Sequence, residues 1–266
     1  MNVYIMGDME GISLVTEWDQ VKQGHPFYAK YQSLYTEEIG AAVEGALAAG
    51  AKRIVINDGH GSADYNLLWE KLPDMVEIER PDTAANIFPS MELSPFDALL
   101  LIGYHAMEGT PGAVLAHTQS HENWHSYSVN GQTYGEIGQL ALIAGHYGVP
   151  VVFISGDRAA VEEARSLLGE DLPGVTVKNG HAHGKATCLH PAVSKRLIRE
   201  SVEQALRSAS VKTREPLALG QPHYNVEVTF KKEAAAESFE GKPGVTRIGD
   251  MTIAKRVGDS SRILDL

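Results

Sequence analysis

The chain has 266 residues, 43% hydrophobic and 21% charged, a globular composition able to bury the core of one large domain or two unequal ones. Acidic residues number 34 against 23 basic ones, and a formal charge of -11 argues against a dedicated nucleic-acid binder, which needs a basic face for phosphate. The acidic balance favours cationic partners instead, among them metal ions and the free amino group of a peptide.

In chain order, residues 3–6 form an apolar strand that runs into Gly7-Asp8-Met9-Glu10-Gly11. After a break at Gly24-His25-Pro26, a helix is expected over about 27–49, where Ile39, Val43, Ala46 and Leu47 recur at helical spacing and Gly50 is the stop. A second strand, 53–56, runs into Asn57-Asp58-Gly59-His60-Gly61, followed by an expected helix over 65–72 closed by Pro73 and a short strand at 76–78. A third, 98–102, runs into Gly103-Tyr104-His105. Residues 113–117 read as a short extended segment, 124–129 as a strand turning at Asn130-Gly131, and 135–146 as a helix. Another buried strand spans 150–154, with a helix over 159–168.

This β-α alternation predicts an α/β fold, a largely parallel sheet flanked by helices. The remainder changes character: a helix from His190-Pro191 to about 208, a strand over 224–230, a helix start at Ala234, and short strands near 245–248 and 251–254. The expected organisation is a metal-binding catalytic α/β domain over 1–170 and a smaller C-terminal α+β domain over 171–266.

The only cysteine, Cys188, leaves no intramolecular disulfide and no cysteine-rich zinc site. No positive segment precedes the first apolar run, and no apolar stretch approaches the roughly 20 residues of a membrane helix. A soluble, cytoplasmic protein with no membrane partner is the expectation. A phosphate-binding glycine loop, a dinucleotide fingerprint and a G-x-S-x-G elbow are all lacking.

Three apolar runs therefore each end in a residue able to ligate metal. In an open α/β sheet, ligands bind outside the carboxyl ends of parallel strands, so Asp8, Glu10, His60 and His105 can converge on one crevice. Carboxylate and imidazole together suit zinc or a related divalent ion, and a shared carboxylate can bridge two. Each residue also has a plainer reading. Asp8 can cap a turn beside a surface Glu10, and His60, which Asp58 would orient as a ligand, can instead be a loop histidine with Asp58 capping the next helix. His105 can bond backbone at the edge of the core, and Glu136 suits a helix first turn for electrostatic reasons alone.

Asp8-Met9-Glu10-Gly11, Asn57-Asp58-Gly59-His60, Gly103-Tyr104-His105-Ala106, Thr110-Pro111-Gly112 through His117-Thr118, and Asn130-Gly131 through Gly135-Glu136-Ile137-Gly138 stand in one order. That ordered set resembles the bacterial D-aminopeptidases of the dipeptide-transport-operon type, and Gly156-Asp157-Arg158-Ala159-Ala160 and Leu189-His190-Pro191 extend the resemblance. It implies that Asp8, Glu10, His60, His105 and Glu136 hold two zinc ions (Zn2+), with Asp8 as the bridge. It implies His117 as nucleophile or base, with general base and acid the preferred role because metal-activated water needs no covalent intermediate. It further implies ring-shaped homo-oligomers that admit only short peptides with an amino-terminal D-residue such as D-alanine.

Where that family carries an arginine-containing stretch, this chain has Gly180-His181-Ala182-His183-Gly184-Lys185, read as solvated loop histidines. The departure motivates one alternative, a metal-dependent amidohydrolase on another small amide. A non-catalytic peptide- or metal-binding protein is the other. His121 and His125, flanking Trp124, read as packing or pocket lining.

Overall fold

The computed structural model describes residues 1–61, 66–80, 86–182, 184–208, 210–220 and 222–266. Its strands are β1 (Asn2–Gly7), β2 (Arg53–Asp58), β3 (Glu77–Glu79), β4 (Ala98–Tyr104), β5 (Trp124–Val129), β6 (Gln132–Thr133), β7 (Val151–Asp157), β8 (Gly174–Ala182), β9 (Lys185–Cys188), β10 (Tyr224–Phe230), β11 (Val245–Gly249) and β12 (Thr252–Val257). Its α-helices are α1 (Tyr28–Ala48), α2 (Pro89–Leu93), α3 (Glu136–His146), α4 (Arg158–Leu168), α5 (Pro191–Arg207), α6 (Ser210–Thr213) and α7 (Glu233–Glu237).

Seven strands form the larger sheet in the order β3-β2-β1-β4-β7-β8-β9, parallel except for the antiparallel β9. Strands buried on both faces read as continuous apolar runs, and β4 and β7 are buried at every residue. Alternation along β1 divides the core. Val3 and Ile5 join Ile39 and Val43 of α1 and Ile198 and Val202 of α5 on one face. Tyr4 and Met6 join Leu140 of α3 and Ala164 of α4 on the other. The smaller sheet, β11-β12-β10-β5-β6, is antiparallel and packs its apolar residues into this second cluster.

From β1 the order runs outward through β2 and β3 in one direction, and through β4, β7 and β8 in the other. The reversal lies between β1 and β4, which pair in parallel. Two neighbouring strand ends there diverge into connections on opposite faces, leaving a crevice beyond their carboxyl ends. The loops after β1, β2 and β4 open onto it.

The α/β fold is the one expected, with local differences. Of the expected 65–72 helix, the described part holds only a 3₁₀ turn at Trp69–Lys71; residues 62–65 lie outside the described residues. Residues 113–117 are loop rather than strand, with the Val114 N–H donating to Asp157 Oδ2 at 3.1 Å instead of to a neighbouring strand. Asn130 and Gly131 turn β5 into β6 with φ of 53° and 80°, the left-handed pair a two-residue hairpin requires. Strands β8 and β9 add to the larger sheet, whereas β5 and β6 belong to the smaller one. Segments 1–170 and 171–266 thus each contribute strands to both sheets. Among the described residues no helix is long and apolar enough to cross a membrane.

Candidate metal centre

The loop after β1 is tied to the end of β4 before any side chain is considered. Asp8 N donates to Ile102 O at 2.8 Å, and Gly11 N to Gly103 O at 2.7 Å. A Cβ on Gly11 would stand 1.9 Å from Tyr104 O. One on Gly103, whose φ is +79°, would stand 2.1 Å from Asp8 O. Glycine at these two positions is what lets the strand-end loops touch. The β2 loop joins them through Gly59 N to Gly7 O at 2.9 Å.

The five expected metal ligands and His117 gather at this crevice, all but the buried His105 lining its cleft. His60 Nδ1 lies 2.9 Å from Glu10 Oε2 and 3.4 Å from Asp8 Oδ1. The other Asp8 oxygen, Oδ2, is 3.2 Å from His105 Nε2, so one carboxylate spans two imidazoles. Glu136, first residue of α3, places Oε1 3.6 Å from His105 Nε2 and 3.7 Å from His117 Nε2. The His105 and His117 rings stack with centroids 3.8 Å apart. Ligand atoms of Asp8, Glu10 and His60 lie within 4.8 Å of one another, as do those of His105, His117 and Glu136.

Whether such a set fits zinc is decided by the far side of each ring. His60 Nε2 is 2.8 Å from Val21 O, His105 Nδ1 3.0 Å from Ala106 O, and His117 Nδ1 3.0 Å from Leu115 O. A carbonyl only accepts, so each of these nitrogens carries a proton. With a cation in the crevice the opposite nitrogen is the one left to offer it a lone pair, whereas without one the facing carboxylates keep His60 and His105 protonated there. Lone pairs facing carboxylates suit an intervening cation. His105 Nε2, buried and without a hydrogen bond of its own, is the sharpest instance. Three nitrogens and three carboxylates are a donor set that zinc accepts.

Burial alone would raise Asp8, but His105 and His60 outweigh it and hold its carboxyl well below the usual range. Burial disfavours a charged His105, yet Glu136 and Asp8 carry its pKa well above the ordinary value. His60 rises likewise, with Glu10 the principal charge opposing its burial. Glu136 is lowered, because His105 overcomes its burial. The centre is built to hold positive charge.

Asp58 does not orient the His60 ring as one reading of the sequence had it; its carboxylate accepts from Tyr35 Oη at 3.1 Å and from Asn66. A cleft of about 520 Å³ opens above the centre, walled by Trp18 and His121, whose rings stack at 4.0 Å. The edge of Trp18 meets the His117 ring at 5.2 Å. Glu136 Oε1 is held by Gln119 N at 2.6 Å, at a residue whose φ is +60°. Sequence reasoning missed Trp18 and Gln119; the positive φ carries no sequence signal. His121 lines the cleft, whereas His125 is exposed on β5. His181 is exposed but sits on β8 rather than in a loop, bonded to Thr187 Oγ1 at 2.8 Å; His183 lies outside the described residues.

A family model described as D-aminopeptidase matches residues 1–266. The D-aminopeptidase of Bacillus subtilis (strain 168) is 33% identical over 211 residues, covering 78% of this chain and 74% of that protein. The structure of the Zn-dependent D-aminopeptidase DppA from Bacillus subtilis, described as a self-compartmentalizing protease, superposes with a TM-score of 0.89 at 27% identity. It covers 100% of this chain and 94% of that one.

Proposed function

Since the chain belongs to the D-aminopeptidase family, we propose that it is a zinc-dependent aminopeptidase acting on short peptides with an amino-terminal D-residue of the D-alanine type. Asp8, Glu10, His60, His105 and Glu136 hold two zinc ions in this reading, with Asp8 between them. The observation that carries it is Asp8 itself, whose two oxygens face His60 on one side and His105 on the other.

When bound, zinc supplies Lewis-acid polarisation of the scissile carbonyl and a lowered pKa for water. The protein does the rest. His117 is fixed by Leu115 O in the tautomer that leaves Nε2 free at the floor of the cleft. Nε2 takes a proton from the attacking water and returns it to the departing amine, so no net proton is consumed. Carboxylates in the cleft, with Asp19 and Glu122 among its lining, attract the peptide's ammonium group and favour cleavage next to a free amino terminus. Trp18 and His121 narrow the space for the first side chain.

The chain is also read as a homo-oligomer of ring form, in line with the self-compartmentalizing relative. Exposed apolar side chains such as Leu93, Trp69 and Met75 provide surface that an assembly would cover. A second ligand set draws on His117, whose Nε2 lies among the ligand atoms of His105 and Glu136.

Metal analysis tests the ligand set. Wild-type protein should carry two zinc ions per subunit and Glu136→Ala clearly fewer, while sedimenting as the same oligomer. Full occupancy in the variant would remove Glu136 from the site, and a monomeric wild type would remove the ring.

A further inference from the structure

Lys178 brings a charge into the buried interior of the larger sheet, on its penultimate strand. It lies on β8, only 1% exposed, between Asp157 of β7 and Cys188 of β9 in register. Its Nζ donates to the carbonyls of Glu10, Ile12, at 3.0 Å, and Val15. An ammonium has three donors, and all three are used, which is the condition on which a buried charge is tolerated.

The three acceptors belong to one segment, the connection between β1 and α1. Residues 8–17 form neither strand nor helix there, while Met9, Ile12 and Val15 are fully buried, so several carbonyls need partners from elsewhere. Lys178 supplies them from a strand locked into the sheet. The same segment carries Asp8 and Glu10, the Trp18 wall, and Val21, whose carbonyl accepts from His60 Nε2 at 2.8 Å. One ammonium therefore fixes the backbone that aims a carboxylate and steadies the support of an imidazole.

The other half of the centre hangs on different contacts. His105 and His117 bond Ala106 O and Leu115 O, Glu136 is held by Gln119 N, and Met107 N donates to Glu163 Oε2 at 2.7 Å. Asp8 is itself fixed to β4 through Ile102 O. Lys178 touches none of these.

We infer that Lys178 is a positioning residue for Glu10 and His60, tuning metal affinity in their half of the centre and not at the His105–Glu136 half. The inference rests on the two-metal reading above. Methionine at this position matches the length but leaves three carbonyls without donors. Arginine keeps the charge but spreads its donors in a plane that does not converge on three carbonyls of one loop.

The test is zinc titration of the assembled protein against a competing chelator, for wild type, Lys178→Met and Lys178→Arg. Circular dichroism and sedimentation establish which variants keep fold and assembly. Wild type should bind two equivalents. A folded variant should keep one near wild-type affinity and bind the second at least about tenfold more weakly. A lower melting temperature with both affinities unchanged, in whichever variant folds, would make Lys178 merely structural and overturn the inference. Fewer than two equivalents in wild type would overturn the two-metal reading and the inference together.

Discussion

Each of the three crevice histidines is held by one ring nitrogen on a backbone carbonyl, and the held nitrogen settles what the other offers. His60 and His105 point their free nitrogens at carboxylates from two directions, while His117 points toward Glu136 alone. Meeting one carboxylate where the others meet two suits His117 to a base, while its place beside His105 and Glu136 makes the ligand role the outcome to test against. His117→Ala is accordingly expected to keep the wild-type zinc content and to lose about 10²- to 10⁴-fold in kcat, measured on one preparation. Loss of one zinc equivalent instead would make His117 a ligand.

At this scale the sequence was most informative where an apolar run stopped at a polar residue. Asp8, Glu10, His60 and His105 stand out because three strands end at them. Glu136 and His117 lie in connections whose paths no periodicity reveals, and they were legible through the ordered motifs. Lys178 was not legible at all, since a lysine that follows Val175-Thr176-Val177 and precedes Asn179-Gly180 carries no sign of burial.

Helices α1 and α5 cover one face of the larger sheet, and Glu38 sits where they meet the β1 connection. Its Oε1 accepts from Ser13 N at 3.1 Å and from Ser194 Oγ at 3.0 Å, while Oε2 is buried without a partner. Burial, only partly offset by Ser13, Ser194, Lys178 and Lys195, raises the Glu38 carboxyl from its usual 4.5 to about 7. Between those values the folded chain holds a proton that the unfolded chain has released. Stability therefore falls as pH rises from about 4.5 to about 7 and then levels, by on the order of 3 kcal/mol. Glu38→Gln mimics the neutral acid and should lack this decline. Glu163, also raised to about 7 by burial, adds the same trend to both proteins, so their difference isolates Glu38. Equal pH dependence of unfolding in the two would show that Glu38 is ionised in the fold.

Elements with uniform patterning were readable to within a residue or two: α1, β4, β5 with its Asn-Gly turn, and β10 over 224–230. Strands β8 and β9 were not, because Lys178-Asn179-Gly180 interrupts the alternation of the first and the second has only four residues. The 113–117 loop resembled a strand because Val114 and Leu115 are buried, yet tertiary hydrogen bonding rather than a ladder accounts for its backbone.

For the whole molecule, local pattern gave the architecture but not the way the two sheets share the chain. Strand β5, with β6 hairpinned to its outer edge, leaves the first half to pair with β10, a long-range choice written in no single window. The consequence is functional. The switch point between β1 and β4 stays open for the candidate metal centre, while Gln119, Ser120 and His121 just before β5 wall its cleft. Asp8, Glu10, Asp19, Glu122 and Glu136 line that opening, which is the acidic setting the proposed function requires for a substrate with a free ammonium.

Stereochemistry is the most direct test of the account. Hydrolysis of D-Ala-D-Ala and of L-Ala-L-Ala should be compared on zinc-loaded protein, with a chelated control. Chelator-sensitive cleavage of the D-peptide alone is the expected result. Cleavage that survives full removal of the metal, or preference for the L-peptide, would contradict a zinc-dependent D-aminopeptidase.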